Sequence, residues 1–143
     1  MKYFYLSIFI LLGITTKAQN VEVQSTIEHF FEAFHAKDTL KLKSICSSKI
    51  ILQSIQENSN NAELSDESAS EFYKSIALIP KELKFQEKIM SYSIQVDGTM
   101  AHVWTPYEFY LNDTLSHKGV NAFTLFKEND VWRIIYVIDT RRK

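Results

Sequence analysis

His117, Asp139 and Tyr107 are the candidates in this sequence for proton transfer, with His117 or Asp139 as the base and Tyr107 as the donor. An imidazole beside a carboxylate can act as a general base, and a phenol can supply a donor. Asp139 follows the apolar run Ile134–Ile138, so a carboxylate buried there needs a partner, and Arg141 is the nearest candidate. Two interpretations stay open for Asp139: a structural ion pair with Arg141, or an acid or base that works inside the protein. His117 is equally open, since a hydrogen-bonded histidine close to a turn needs no catalytic role.

The stretch AHVWTPYEFYLND (Ala101–Asp113) concentrates aromatic rings in a short segment. Alternation along a strand puts Tyr107 and Phe109 on one face and Trp104 on the other, and both faces are partly apolar. Large flat rings suit an apolar pocket for a planar ligand, although ordinary core packing also accounts for them. The pattern does not settle which face points inward. The residues that we expect to contact a ligand are Trp104, Tyr107, Phe109, His117, Asn121, Asp139 and Arg141.

Metal and phosphate chemistry are not favoured by the motifs of this chain. His29, Glu32 and His35 share the first predicted helix, but the two histidines lie about 120° apart around a helix axis and cannot easily hold one ion. The chain has three glycines and no Gly-rich phosphate loop, and no G-x-S-x-G motif marks a nucleophilic serine. We therefore predict no metal and no cofactor. The lone cysteine, Cys46, shares an apolar helical face, which favours a buried role over a catalytic thiol.

Residues 1–18 have the pattern of a secretory signal peptide. Lys2 precedes the apolar run Phe4–Ile14, which is too short for an ordinary membrane span. Thr16 and Ala18 are placed as the small residues that precede a cleavage site. The alternative is an uncleaved N-terminal anchor.

Cleavage between Ala18 and Gln19 would leave residues 19–143, which suit one compact domain with one core. The full chain has 16 Lys and Arg residues against 17 Asp and Glu residues, for a net charge of −1. So mild a charge argues against nucleic acid and against an anionic membrane surface as partners. We expect a periplasmic or secreted protein without a stable membrane anchor.

Hydrophobic spacing predicts three helices in the N-terminal half of the chain. The first starts near Asn20 and repeats apolar residues every three or four positions. Asp38 caps a short second helix that reaches about Cys46. The predicted boundaries of the third helix are Ser65 or Asp66 as its cap, Ala69–Ile76 as its apolar register and Pro80 as its end.

Alternating apolar residues predict strands elsewhere. A short strand is expected at Lys49–Gln56, and the polar loop after it has room for another near Ala62–Leu64. Asp97–Gly98 is a strong signal for a hairpin turn. Because long strands twist, we expect the helices to cover one face of a curved antiparallel sheet, an α+β fold with the shape of a cone. Its four long strands are predicted at Lys84–Val96, Thr99–Leu111, Ser116–Lys127 and Val131–Thr140.

Three segments, VWTPYEFY (Val103–Tyr110), SHKGVNAFTLF (Ser116–Phe126) and WRIIYVIDTRR (Trp132–Arg142), resemble the nuclear-transport-factor-2-like superfamily. Within that superfamily the chain is most similar to secreted bacterial members of the lumazine-binding type. The resemblance implies a cone-shaped α+β fold with an internal pocket, and homodimers that pair through the sheet. It implies no single reaction, because members include isomerases, dehydratases, polyketide cyclases and carriers. Lys118 stands where similar chains often have a cysteine, so any chemistry of that cysteine is missing here.

Three functional hypotheses follow. The first is a secreted or periplasmic, non-catalytic domain that binds a small apolar or aromatic molecule between the helices and the sheet. The second is a proton-transfer enzyme (an isomerase, dehydratase or cyclase) that uses Asp139 or His117 as base and Tyr107 as donor. The third is a module for dimerisation or for binding another envelope protein. An open cavity favours the first, convergence of the titrating groups favours the second, and a large exposed apolar sheet face without a cavity favours the third.

Overall fold

Three helices of the described chain form one layer of the protein. The computed structural model describes residues 2–143, and side chains from residue 17 onward; the apolar side chains of the predicted signal peptide lie outside the described ones. Helix α1 spans Lys2–His35, α2 spans Thr39–Ile45 and α3 spans Ala69–Ala77. Helix α1 therefore begins well before the predicted start near Asn20. Within the described residues, no helix is both long and apolar enough to cross a membrane.

The N-terminal cap of α2 agrees with the sequence prediction, whereas that of α3 does not. Asp38 caps α2, since its carboxylate accepts a hydrogen bond of 2.9 Å from the backbone N–H of Lys41. Helix α3 is capped by Ser68, whose hydroxyl accepts from the backbone N–H of Glu71. The predicted caps Ser65 and Asp66 are wrong because both belong to a strand that pairs before the helix starts.

Within residues 2–143, seven strands form a single mixed sheet. They are β1 (Cys46–Glu57), β2 (Ala62–Glu67), β3 (Phe85–Ile89), β4 (Ser93–Asp97), β5 (Met100–Leu111), β6 (Thr114–Glu128) and β7 (Val131–Arg142). Their order is β2-β1-β7-β6-β5-β3, and β4 also pairs with β5. The α+β class, with three helices packed on a curved and unclosed sheet, is confirmed. One pairing differs from the antiparallel prediction: β1 runs parallel to β7. No hairpin joins these two distant strands, so no turn imposes an antiparallel direction.

The predicted long strand at Lys84–Val96 is two short strands. Ile89 pairs with Tyr107 and Ser93 pairs with Trp104, so the three residues 90–92 face only two residues of β5. The backbone N–H of Met90 donates to the carbonyl of Pro106, 2.9 Å away. Pro106 has no N–H, so it cannot donate the second hydrogen bond of this pair. The segment between β3 and β4 has one residue more than the facing part of β5, as in a β-bulge, and the ladder is interrupted there.

The core lies between α1 and the inner face of the sheet. Alternate residues of β5, including Val103, Thr105 and Tyr107, are buried, which settles the inward face that the sequence left open. Cys46 is buried where α2 meets β1, and burial raises the pKa of its thiol to about 11, as expected for an inert packing residue. Other fully or nearly fully buried residues are Val23, Ile27, Leu42, Phe123, Leu125 and Ile134.

Candidate functional site

Two adjoining cavities open between the helices and the inner face of the sheet. The first has a volume of about 390 Å³ and the second about 290 Å³. The first lies against β1 and β2, whereas the second extends toward the part of β5 and β6 that carries Tyr107 and His117. The residues that line both are Phe34, Glu67, Phe72, Glu87, Asp139 and Arg141.

The helix side of the first cavity is a wall of phenyl rings. Phe30 and Phe34 are four residues apart on α1, so they project from the same face, and Phe72 joins them from α3. The three rings are nearly parallel: their planes differ by at most 8°, and their centroids are 6.4 to 6.5 Å apart. Phe31 and Phe123 complete the apolar end of the cavity. This wall can bury the apolar body of a ligand.

Glu87 is the titratable group at the centre of the site. It projects from β3, and its Oε1 accepts a hydrogen bond of 2.6 Å from Nδ2 of Asn121 on β6. The residue is half-buried, and burial raises the pKa of its carboxyl group to about 7, against a smaller lowering by the Asn121 hydrogen bond. A carboxyl group of this kind exchanges its proton near neutral pH, which is the property of a general acid or base.

Asp139, Arg141 and Tyr107 form a second polar cluster beside Glu87. The carboxylate of Asp139 accepts a hydrogen bond of 2.7 Å from Nε of Arg141, which is the ion pair considered from the sequence. The hydroxyl of Tyr107 lies 2.9 Å from the carbonyl of Thr140 and 3.3 Å from Oδ2 of Asp139. Burial, followed by the charge of Asp139, raises the pKa of Tyr107, so its proton stays in place and serves these acceptors.

His117 lies at the far end of the second cavity. Its ring stacks on Phe109 with a centroid separation of 4.8 Å and meets Tyr107 edge-on at 5.9 Å. Nδ1 is 3.2 Å from the hydroxyl of Ser116. Burial, and then the charge of Arg141, lower the pKa of His117, so its imidazole is neutral at neutral pH.

Most of the residues predicted to contact a ligand lie around these cavities. Asn121 lines the first, Tyr107, Phe109 and His117 line the second, and Asp139 and Arg141 line both. Whether they bind a ligand stays a prediction.

Trp104 is the exception, and its placement beside the pocket is wrong. Its side chain is on the outer face of the sheet, 48% exposed, because its neighbours Val103 and Thr105 take the inner positions of β5.

The prediction missed Glu87 and the phenyl wall. A usable signal was present in FQEKI (Phe85–Ile89), where Glu87 alternates with two apolar residues and must share their face. An acid on the apolar face of a strand is costly to bury and therefore points to a special role.

The two histidines of α1, His29 and His35, lie in different environments. His29 is exposed, whereas Nε2 of His35 accepts a hydrogen bond of 2.9 Å from the backbone N–H of Glu87. His35 therefore supports the strand that carries the central carboxyl group. Across the part of the chain with described side chains, no three or more His, Cys, Asp or Glu side chains are grouped to hold a metal ion.

An open curved sheet that encloses a cavity against three helices defines an α+β fold built around an internal pocket. Solved structures of NTF2-like proteins share it. One from Shewanella baltica, of unknown function, has a TM-score of 0.63 at 15% identity, over 88% of this chain and 95% of that chain. A Streptomyces avermitilis protein of the same family, described as a candidate dehydratase, has a TM-score of 0.67 at 15% identity, over 90% and 99% of the two chains.

A further structure is the β subunit of a candidate aromatic-ring-hydroxylating dioxygenase from Novosphingobium aromaticivorans. It has a TM-score of 0.71 at 9% identity, over 90% of this chain and 92% of that chain. No protein-family model matches the sequence, and no curated protein matches it. This protein thus has the nuclear-transport-factor-2-like fold that the sequence resemblance implied. The lumazine-binding subtype stays a prediction.

Proposed function

We propose that this protein is a non-catalytic domain that binds a small molecule with an aromatic or other apolar body. The observation that carries the proposal is the first cavity, of about 390 Å³, which the protein's own side chains leave open. Its volume is at the lower end of the range for small-molecule sites, about 300–1,000 Å³. One end is phenyl rings and the other is polar, so the cavity can bury an apolar body and orient it through hydrogen bonds.

A cavity-filling substitution tests this proposal. Ser54 lies on β1 beside Asp139 of β7 and lines the first cavity, so Ser54→Phe places a ring where the ligand would lie. Ser48→Phe, at an exposed position of the same strand, is the matched control. A panel of small aromatic compounds is screened by native mass spectrometry and by ligand-observed NMR. Compounds should bind the unmodified protein and the control but not Ser54→Phe; binding that survives in Ser54→Phe would reject this cavity as the site.

We also propose that the protein works outside the cytoplasm, in the periplasm or beyond, after loss of residues 1–18. The support is the order of Lys2, the apolar run Phe4–Ile14 and the small residues Thr16 and Ala18. Mass spectrometry of the protein from fractionated cells should find a chain that starts at Gln19 in the periplasmic or secreted fraction. A full-length chain confined to the cytoplasm would contradict this location.

A proton-transfer enzyme is the second candidate function, because Tyr107 and Asp139 meet on one face within 3.3 Å and Glu87 lies beside them. Two features weigh against it. The hydroxyl of Tyr107 is closer to the carbonyl of Thr140, and Asp139 is paired with Arg141. Deuterium uptake from solvent into an aromatic ketone such as phenylacetone tests the activity. Catalysed uptake that is lost in both Tyr107→Phe and Asp139→Asn would favour the enzyme over the non-catalytic binding domain.

We propose further that two copies pair through the outer face of the sheet. Trp104 lies opposite Ala122 of β6, which lies opposite Ile138 of β7, so an apolar row crosses three strands. Trp104 is 48% exposed and Ile51, on β1, is 56% exposed. Exposed large apolar side chains on the outer face of a sheet are suited to burial against a second copy.

A further inference from the structure

We propose that the first cavity selects an organic ammonium ion attached to an aromatic body. This inference deepens the ligand-binding role proposed above and rests on it. Four of the described residues that line the cavity carry carboxyl groups, whereas Arg141 is the one cationic side chain among them. The carboxyl groups of the lining are those of Asp66, Glu67, Glu87 and Asp139.

The single guanidinium leaves most of these carboxyl groups without a cationic partner. Arg141 pairs with Asp139 at 2.7 Å. Asp66 accepts a hydrogen bond of 2.8 Å from the amide of Gln53, a neutral partner. Glu67 and Glu87 form no ion pair within residues 17–143. With four carboxyl groups and one guanidinium, the lining has an excess of acidic groups, and ionised Glu87 adds to the negative charge.

Glu87 is the carboxyl group that the ammonium ion would meet. Its Oε1 is occupied by the amide of Asn121, whereas its Oε2 makes no hydrogen bond with the described side chains or backbone. Glu87 and the rings of Phe30, Phe34 and Phe72 line the same cavity. An ammonium group can thus donate to Oε2 while the apolar body that carries it packs against the rings.

The phenyl wall favours a cationic ligand over an anionic or a neutral one. The face of an aromatic ring carries negative potential and attracts organic cations. An anion would meet that potential and also the carboxylates of Glu67 and Glu87, with Arg141 already engaged by Asp139. A neutral alcohol could make one hydrogen bond to Glu87 but would leave the charge uncompensated, which is costly away from water.

Binding of such a cation is linked to the proton on Glu87. Burial raises the pKa of Glu87 to about 7, so an ammonium ligand that requires the ionised form releases a proton when it binds below that pH. Affinity should then fall as the pH drops from about 8 to about 6. The other titratable or charged groups around Glu87 are His35 from α1, Tyr107 from β5, His117 from β6, Asp139 and Arg141 from β7, and Glu67 from β2.

Three compounds with the same phenyl body test the proposal: phenethylammonium, phenethyl alcohol and phenylacetate. Isothermal titration calorimetry on the full protein should find phenethylammonium about tenfold or more tighter than phenethyl alcohol at about pH 8, and phenylacetate weakest. The affinity for phenethylammonium should drop about tenfold between pH 8 and pH 6, whereas that for the alcohol should not fall.

Glu87→Gln tests how much this one carboxyl group, and not the others of the lining, contributes to the affinity for the ammonium ion. The variant should bind phenethylammonium no better than phenethyl alcohol and should lose the pH dependence. Glu82→Gln removes the same charge at an exposed residue that lines neither cavity, and should behave as the unmodified protein. If Glu87→Gln does not fold, the ratio between the ammonium and the alcohol on the unmodified protein still decides the question.

Two outcomes overturn the inference, and they are distinguishable from failure of the proposed function. Should phenethyl alcohol or phenylacetate bind as tightly as phenethylammonium, and Ser54→Phe abolish that binding, the cavity is a ligand site but does not select cations. Should none of the three bind, the selection of an aromatic ammonium ion is rejected. The wider compound panel with Ser54→Phe then decides whether the cavity binds a small molecule at all.

Discussion

The carboxyl group of Glu87 and the amide of Asn121 are joined by a hydrogen bond of 2.6 Å, although strand β5 lies between their strands β3 and β6. Both side chains therefore reach across the inner face of β5. The same amide nitrogen lies 3.4 Å from the hydroxyl of Thr105 on that strand. Asn121 thus fixes Glu87 at the centre of the cavity, and its hydrogen bond partly offsets the cost of burying the carboxyl group.

Glu87→Gln should stabilise the protein above neutral pH. The folded-state pKa of Glu87 is raised from 4.5 to about 7, so the folded protein holds this proton more tightly than the unfolded chain does. The contribution to stability is complete below about pH 4.5 and is lost as the pH rises through 7. The variant keeps an oxygen for Asn121 but has no charge to bury, and should gain about 1–3 kcal/mol over the unmodified protein at pH 8 and little at pH 4.

Urea denaturation across this pH range measures the difference between the two proteins. Comparing them removes the contributions of His35 and His117, which are common to both. Glu82→Gln, at an exposed position, should show no such pH-dependent gain. A constant difference between Glu87→Gln and the unmodified protein from pH 4 to pH 8 would show that Glu87 does not titrate with a raised pKa.

His35 should be a neutral imidazole with its proton on Nδ1. The backbone N–H of Glu87 donates to Nε2, which requires a lone pair there, and burial lowers the pKa of His35. The stability from this contact is present above the unfolded pKa of about 6.5 and is lost as the pH falls through the lower folded value. Long-range proton–nitrogen NMR spectra at neutral pH should identify a single tautomer at His35, with the exposed His29 as an internal reference. A proton on Nε2 would contradict the contact.

Gly119→Ala should destabilise the sheet beneath the second cavity. A Cβ at this position would lie 1.7 Å from the carbonyl oxygen of Thr140 and 2.9 Å from Cε1 of Tyr107, so strands β6 and β7 would have to move apart. We expect a loss of about 3 kcal/mol or more in chemical denaturation. Gly98→Ala is the comparison: nothing lies within 4 Å of its Cβ, but its φ of +58° is costly for alanine, at about 1–2 kcal/mol. Equal losses at the two sites would show that Gly119 is not sterically required.

The fold was largely predictable because the spacing of apolar residues reflects burial directly. Period-two alternation identified β5, β6 and β7, and the Asp97–Gly98 turn fixed the hairpin between β4 and β5. The parallel pairing of β1 with β7 was not predictable from local pattern, because strands far apart in sequence carry no turn that sets their direction. The break at residues 90–92 had a local cause in Pro106, but on the partner strand rather than on the strand that breaks.

The site was less predictable because alternation gives two faces without saying which one is inside. Trp104 and Tyr107 have similar side chains and lie three residues apart, yet one is 48% exposed and the other 3%. Only the packing of α1 against the sheet determines which of the two side chains is buried. The alternation in FQEKI could have placed Glu87 on an apolar face, but its polar partners could not be predicted, because Asn121 and Asp139 are distant in sequence and approach Glu87 only in the folded sheet.

Trp104→Glu should break a dimer that forms through the outer face of the sheet. The ring of Trp104 is 48% exposed, so its loss removes few contacts within one copy but would remove an aromatic anchor from an interface. A carboxylate buried against a second copy would add a desolvation cost, and together these should weaken self-association about tenfold or more in analytical ultracentrifugation. Leu40→Glu, at a 78% exposed position on α2 away from the sheet, should leave self-association unchanged. If Trp104→Glu associates as strongly as the unmodified protein, or the unmodified protein is monomeric at every concentration, the outer face is not a dimer interface.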